Sequence, residues 1–217
     1  MDRSWSTDAE LTPAALTLLM ESRQTILPKR LEAPGPDAQE WRAWLDSAAN
    51  APDHGQILPW RFVLVPAAQR KRLGQAFADA LLERDCAATP EQLEQAREKA
   101  LRAPVLLLLV VDGARGDASV DLHERILSAG CAVQNLLLMA TAQGFGSALT
   151  SGKALKSQAL RTLFGLTAEE HALCFISLGT VRQRRPAHPR PSPENYVQTL
   201  GESGVIAGFS PLPDFSE

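Results

Sequence analysis

The chain alternates between segments whose apolar residues recur at helical spacing and short apolar runs of strand length. After Thr12-Pro13, a capping residue followed by proline at the first helical position, Leu16, Leu19 and Met20 share one face and predict a helix over 14–21 ending near Arg23. Residues 27–36 carry three prolines and a glycine and read as a connection. Asp37 and Glu40 have the spacing of a capping box, and Trp41, Trp44, Leu45 and Ala48 follow at helical intervals. They predict a second helix that buries two indoles and stops before Pro52. Residues 51–55 are then a turn, and the alternating, β-branched and aromatic stretch 60–65 is a strand.

Two partly solvated helices are expected over 67–84 and 91–102, the latter opened by Thr89-Pro90 with Gln92 completing a capping box. Residues 105–111 are uninterruptedly apolar between Pro104 and Asp112-Gly113, the pattern of a strand covered on both faces and the best candidate for the sheet centre. Residues 121–143 predict a long helix, apolar nearly all round and closed by Gly144 as a left-handed cap, so it belongs inside the domain or at a subunit interface. Residues 145–151 form a short strand or loop, 156–164 a short helix closed by Gly165, and 172–178 a further strand. The stretch 182–193 is polar and proline-rich, and no repeat or interdomain linker is visible. The pattern predicts one α+β domain over 1–217 with three or four strands.

Composition narrows the class without adding a function. With 45% hydrophobic and 22% charged residues the chain folds around a core, which excludes disorder, collagen-like and coiled-coil rod compositions. A net charge of −3 supplies no overall pull toward nucleic acid or an anionic membrane. Cys86, Cys131 and Cys174 are scattered and form no C-x-x-C pair, as expected of reduced thiols in the cytoplasm. Residues 1–10 have neither the basic nor the apolar region of a secretory signal, and the longest clean apolar run, 105–111, is too short to cross a bilayer.

Most familiar motifs fail on counting. Gly146 to Lys153 imitates a phosphate loop, but five residues separate the glycines where four are needed, and Ala154 stands where a metal-binding hydroxyl belongs. Gly144-Phe145-Gly146 lacks the third glycine of a dinucleotide fingerprint. His54, His123, His171 and His188 have no zinc-ligand spacing, so no metal is expected, and no G-x-S-x-G elbow exists. The basic run 182–185 reads as a solvated or partner-clasping tail. Two segments resist a bland reading. At the end of the first helix, Arg23, Gln24 and Thr25 present a guanidinium, an amide and a hydroxyl, a set able to hold a phosphate. In the bracketed turn 50–60, local turn chemistry accounts for Asp53 and Gly55 but not for His54.

With S-R-Q-T at 22–25, A-P-D-H at 51–54, P-W at 59–60, R-A-P at 102–104, S-A-G-C-A-V-Q-N at 128–135, A-Q-G-F-G at 142–146 and L-G-T at 178–180, the chain resembles the nitroreductase family of FMN flavoproteins, especially its short bacterial branch. The resemblance covers a core of about 16–197, leaving 198–217 as a C-terminal tail. It implies a homodimeric α+β sandwich, a central mixed or antiparallel sheet flanked by helices, with FMN at the subunit interface. It also gives the 121–143 helix a place in the dimer contact. Position by position it implies that Arg23, Gln24 and Thr25 hold the ribityl phosphate and part of the ring, that Asn50 and His54 come from the second subunit, and that Leu149, Thr150 and Ser151 lie along the flavin. The chain departs from the branch at Asn50, often arginine there, and at Leu149-Thr150-Ser151, often aromatic-Arg-Ser. Two guanidinium groups are thus absent, for which Lys153, Arg182, Lys29 or Arg30 could substitute.

The implied activity is an FMN-dependent oxidoreductase moving hydride from NADH or NADPH through the flavin to a nitroaromatic, quinone or similar small acceptor in ping-pong fashion, with no side-chain nucleophile. Two alternatives share the fold: a dehalogenase or flavin-cleaving enzyme, and a non-catalytic or weakly FMN-binding interaction protein.

Overall fold

The structure, a computed structural model, describes residues 12–183, 189–201 and 204–207. The chain divides into two compact units at 184/185. The first contains helices α1 (Pro13–Ser22), α2 (Ala38–Ala48), α3 (Arg70–Leu82), α4 (Pro90–Glu98), α5 (Leu122–Ala142) and α6 (Gln158–Phe164), and strands β1 (Leu31–Glu32), β2 (Trp60–Leu64), β3 (Val105–Asp112), β4 (Gly146–Thr150) and β5 (Glu170–Val181).

Local chemistry places the helix ends where the sequence does. The Thr12 hydroxyl caps α1 ahead of Pro13, both halves of the Asp37–Glu40 and Thr89–Gln92 capping boxes are made, and Gly165 ends α6 in the left-handed conformation. Gly144 follows α5 with φ 88°, a backbone state that side chains beyond glycine rarely adopt.

All the strand pairs are antiparallel, and β5 is their hub: it pairs with β1, β3 and β4, while β2 extends the sheet from the far side of β3. Five strands therefore replace the expected three or four. The fifth, β1, lies in the stretch read as a connection; two residues carry no periodicity, and Leu31 and Glu32 are strand only because Val181 and Thr180 pair with them. For the same reason β5 outruns its apolar stretch at both ends, and the centre of the sheet is shared between β3 and β5.

The two faces of β3 build two cores. Leu107, Leu109 and Val111 face α2 and α5 together with Ile176 and Leu178. Leu106, Leu108 and Val110 join Phe175, Leu73, Ala76 and Leu160 on the face covered by α3 and α6. The result is an α+β sandwich. Trp44 is fully buried, edge-on to Phe145 with centroids 5.0 Å apart, and its indole donates to Gln143; Trp41, expected beside it in the core, is only half-buried.

By length and composition α5 is apolar enough to cross a bilayer. In the fold its buried face, Ala129, Ala132, Val133, Leu136 and Ala140, packs on the sheet and α2, while Leu127 on the outward face is 70% exposed. Helix α1 has no buried residue at all, and its Leu18 is 67% exposed.

Two arginines are buried without a carboxylate. Arg70, 5% exposed, donates to the carbonyls of Val65 (2.8 Å), Ala100 (2.9 Å), Ala103 (3.2 Å) and Pro104 (3.2 Å). Arg125, 1% exposed, donates to Val120 (2.9 Å) and Asp117 (2.7 Å) carbonyls and shapes the turn before α5. Burial lowers the Arg70 pKa from its usual range, and the four carbonyls do what a counter-ion would otherwise do.

The second unit holds a short 3-10 turn at Pro193–Asn195 and a hairpin of β6 (Gln198–Gly201) and β7 (Gly204–Ala207), in a stretch for which the sequence pattern predicts no element. Residues 1–11, 184–188, 202–203 and 208–217, including His188, Arg184 and Arg185 of the basic run and the end of the tail, lie outside the described residues.

Arg70→Met should lower the unfolding free energy by roughly 3 kcal/mol, since four buried carbonyls lose charged donors. Urea denaturation checks this; a loss under about 0.5 kcal/mol would mean that water replaces the guanidinium at no cost.

Candidate functional site

The cluster at the end of α1 is positioned by backbone pairing. Thr25 forms an isolated parallel bridge with Ser147, and the Ile26 amide donates to the Ser147 carbonyl at 2.8 Å. Gly146 makes the approach possible: a Cβ there would lie 2.5 Å from Val181 Cγ2 and 2.9 Å from Leu31 Cδ2. Strand β4 then runs out beside the helix end and distributes its last residues to two clefts.

The smaller cleft, about 390 Å³, is lined by Arg23, Thr25, Gln134, Leu137, Ser147, Ala148 and Leu149. The larger, about 590 Å³, takes Thr150 and Ser151 along one wall. Leu149 pairs with Ile176 and Thr150 with Phe175, so the pleat sends successive residues to opposite sheet faces. The two clefts thus share the end of β4.

Across from Thr150 and Ser151, the larger cleft is walled by Phe77 and Leu81 of α3 and by Gln92, Gln95 and Ala96 of α4. Arg84, Lys99, Arg102 and Lys153 stand along it as well. The sequence pattern marked the charges of this region as solvated, and only the packing of α3 against α4 brings them together. Of the bases named as substitutes for the absent guanidinium groups, Lys153 lines a cleft. Arg182 is paired with Glu32 at 3.1 Å, and Lys29 and Arg30 line neither cleft.

Five of the eight expected cofactor contacts, Arg23, Thr25, Leu149, Thr150 and Ser151, line the paired clefts, and Gln24 lies between two of them in sequence. Asn50 and His54 line neither. Asn50 donates from Nδ2 to the Asp46 carbonyl at 3.0 Å at the end of α2. His54 lies in an exposed loop where Gln56 and Leu58 join Gly55 at positive φ. Asp53 Oδ2 holds that loop by accepting from the Leu58 amide at 2.7 Å, while its Oδ1 is buried without a hydrogen-bond partner among the described residues. His54 Nδ1 meets Glu124 Oε2 at 2.8 Å, and the hydrogen bond and charge of Glu124, with Asp117 and Asp53 adding to them, raise the imidazole pKa.

The motif residues have mechanical duties of their own. Trp60 Nε1 donates to Ser128 Oγ at 3.0 Å, Asn135 Nδ2 donates to the Ser47 carbonyl at 3.2 Å, and the Thr180 hydroxyl donates to the Pro34 carbonyl at 2.7 Å. Together with the Trp44–Gln143 bond they lock α2, α5 and the sheet behind the clefts.

Comparison with known proteins gives this arrangement a context. The family model described as "Nitroreductase family" matches residues 20–180. A Haemophilus influenzae protein named "Putative NAD(P)H nitroreductase" is 34% identical over 166 residues, covering 76% of this chain and 88% of its own. Among solved structures, a nitroreductase-like family protein from Bacillus cereus superposes with a TM-score of 0.74 at 17% identity, covering 88% of this chain and 99% of that one. A variant of the FMN and NADPH-dependent nitroreductase NfnB from sphigopyxis sp. strain HMH does so with a TM-score of 0.67 at 16% identity, covering 85% and 98%.

The His54 titration midpoint, followed by NMR, should lie above the ordinary histidine value of about 6.5 and fall back toward it in Glu124→Gln. Because the folded pKa is raised, the small stabilisation from this exposed pair is complete below the unfolded value and is lost as pH climbs through the folded one. A midpoint unmoved by Glu124→Gln would show that the pair does not persist in solution.

Proposed function

The chain belongs to the nitroreductase family, and we propose that it is an FMN-dependent oxidoreductase that takes reducing equivalents from NADH or NADPH and delivers them to a small electron-poor acceptor such as a nitroaromatic or a quinone. The observation that carries this reading is the convergence of Arg23, Thr25 and Leu149 on one cleft and of Thr150 and Ser151 on the adjoining one, at the end of a single strand.

The donor set suits a flavin mononucleotide. Arg23 and Thr25 offer a guanidinium and a hydroxyl to a phosphate and its ribityl chain, with Gln24 between them. Leu149, Thr150 and Ser151 would lie along the edge of the ring where the two clefts meet, leaving the apolar floor of the larger cleft to the molecule that meets it. Lys153 adds positive charge two residues beyond Ser151, which lowers the cost of negative charge gathering on a reduced ring. When bound, FMN supplies hydride acceptance from the nicotinamide and electron release to the acceptor. For a nitroaromatic the balance of one turnover is ArNO2 + NAD(P)H + H+ giving ArNO + NAD(P)+ + H2O. One open cleft beside Thr150 and Ser151 serves donor and acceptor in turn, the condition for ping-pong kinetics.

The working form in this reading is a homodimer. The outward face of α5, with Ile126, Leu127 and Cys131, and the whole of α1, with Leu18 and Met20, leave apolar surface that one copy does not cover. A second copy would cover it and would bring Asn50 and His54, which line neither cleft of their own chain, to the partner's cofactor. The three free cysteines and the reliance on NAD(P)H agree with a cytoplasmic setting, and 1–217 is treated as one functional domain.

An absorbance scan from 300 to 550 nm after incubation with FMN and desalting should show flavin bands near one per chain, and light scattering should give the mass of a dimer. A flat spectrum defeats the reading. Arg23→Ala should weaken FMN at least tenfold, as the loss of a charged phosphate contact of about 1.5–3 kcal/mol implies; fluorescence titration measures it, and an unchanged affinity removes Arg23 from the site.

A further inference from the structure

The larger cleft carries a charge pattern that neither the packing of the fold nor the cofactor contacts account for. Its floor is apolar and closed: Leu106, Leu155, Phe175 and Ala96 are buried, and Phe77 meets Phe175 edge-on with centroids 5.4 Å apart. Its rim holds four cations from three parts of the chain, Arg84 just past α3, Lys99 and Arg102 just past α4, and Lys153 just past β4, while no aspartate or glutamate lines it.

Six arginines elsewhere among the described residues are neutralised. Arg42, Arg61, Arg97 and Arg182 each pair with a carboxylate, and Arg70 and Arg125 are saturated by backbone carbonyls. None of the four cleft cations forms an ion pair with a described residue. Lys29, Arg30, Lys71, Arg72 and Lys156 likewise form no ion pair with a described residue, so what sets the four apart is their gathering around one apolar floor. Cations gathered beside low-dielectric walls repel one another and focus a field that draws in anions.

Resting on the flavin-enzyme reading above, we infer that the acceptor is an aromatic compound bearing a carboxylate or sulfonate. Its ring occupies the Phe77–Phe175 floor, and its anionic group is held at the rim by Arg84 and Arg102 with their neighbouring lysines. A planar carboxylate matches the guanidinium fork, and an aromatic body matches the floor, so one ligand uses both halves of the cleft. Electron delivery follows the balance given for ArNO2, with the anionic substituent unchanged. The same anionic recognition could instead serve the phosphates of the dinucleotide or of the flavin, and the test separates these sources.

The probes are 4-nitrobenzoate and its neutral isostere 4-nitrobenzamide, titrated calorimetrically into the purified protein at low and high salt, without electron donor. The expected result is at least tenfold tighter binding of the carboxylate at low salt, a gap that narrows with salt, disappears in Arg84→Gln/Arg102→Gln and is reduced but present in Arg84→Lys/Arg102→Lys, which keep the charge and lose the fork. Equal binding of the two probes, or a gap that survives the glutamine variant, overturns the inference. So does a tenfold preference for NADP+ over NAD+ that depends on the same arginines while the nitro probes bind equally. Loss of bound flavin from the glutamine variant would assign the cations to the cofactor phosphate and overturns it too. The titration requires neither flavin nor turnover, so a protein without flavin bands defeats the preceding reading, while the binding gap between the two probes is judged separately.

Discussion

Helix α1 has no buried side chain to fix it, so the place of its C-terminal cluster depends on a few atoms of backbone. The Thr25–Ser147 bridge and the Ile26 amide on the Ser147 carbonyl are the attachment, and Arg23 reaches the end of β4 through them. Buried amide–carbonyl pairing is directional and expensive to break, which makes it a better locator than an apolar contact that can slide. Because β4 is itself pinned to β5, the helix end, the strand end and the hub of the sheet form one rigid path. A site built on such elements keeps its shape even where the helix that feeds it is exposed.

The repeated motifs of the sequence prove to be mostly parts of this frame. Gln143, Phe145, Ser128 and Asn135 satisfy or pack on groups behind the clefts, Thr180 ties the end of the sheet to the exposed Pro34 carbonyl, and Ala103 and Pro104 give their carbonyls to Arg70. That bond has a functional side, because it fixes the segment on which Lys99 and Arg102 stand. Motif identity therefore reports the scaffold more directly than the chemistry, which the proposed function places in the short stretches 23–25 and 149–153.

What the sequence made legible follows from the range of each signal. Capping boxes, the proline start of α1 and the glycine ends of α5 and α6 act within four residues, so they can be read without a fold. The run 105–111 announced a doubly covered strand because burial on both faces leaves no polar alternation. Strand β1 was illegible, since a two-residue strand exists only through its partner, and so was the reach of β5, which three partners prolong. Arg70 and Arg125 look like ordinary surface charges until the carbonyls that receive them converge. Trp41 shares its helix face with Trp44, yet only one indole fits behind Phe145 and Gln143. The four cleft cations are up to tens of residues apart in sequence and share no spacing; the packing of α3 on α4 and the course of the chain just past β4 make a cluster of them.

The distribution of positive charge is the point at which this chain reads as an individual. Of the two positions where the short branch it resembles often carries arginine, Asn50 lines neither cleft and Thr150 lines the larger one, and Arg23 is the sole cation among the described residues that line the smaller. The larger cleft has four and no acid to quench them. Lys153 stands three residues past Thr150, where the branch often carries arginine, and lines the same cleft, so in the proposed reading a more flexible ammonium takes over part of that charge. Arg84, Lys99 and Arg102 replace nothing in that account, since they come from helices on the opposite wall. The wall on which they stand faces the open space beside Thr150 and Ser151 rather than Arg23. In the proposed reading, the asymmetry between the clefts separates two tasks along one strand: holding a cofactor on the side of Arg23, and selecting what meets it on the side of Arg84 and Arg102.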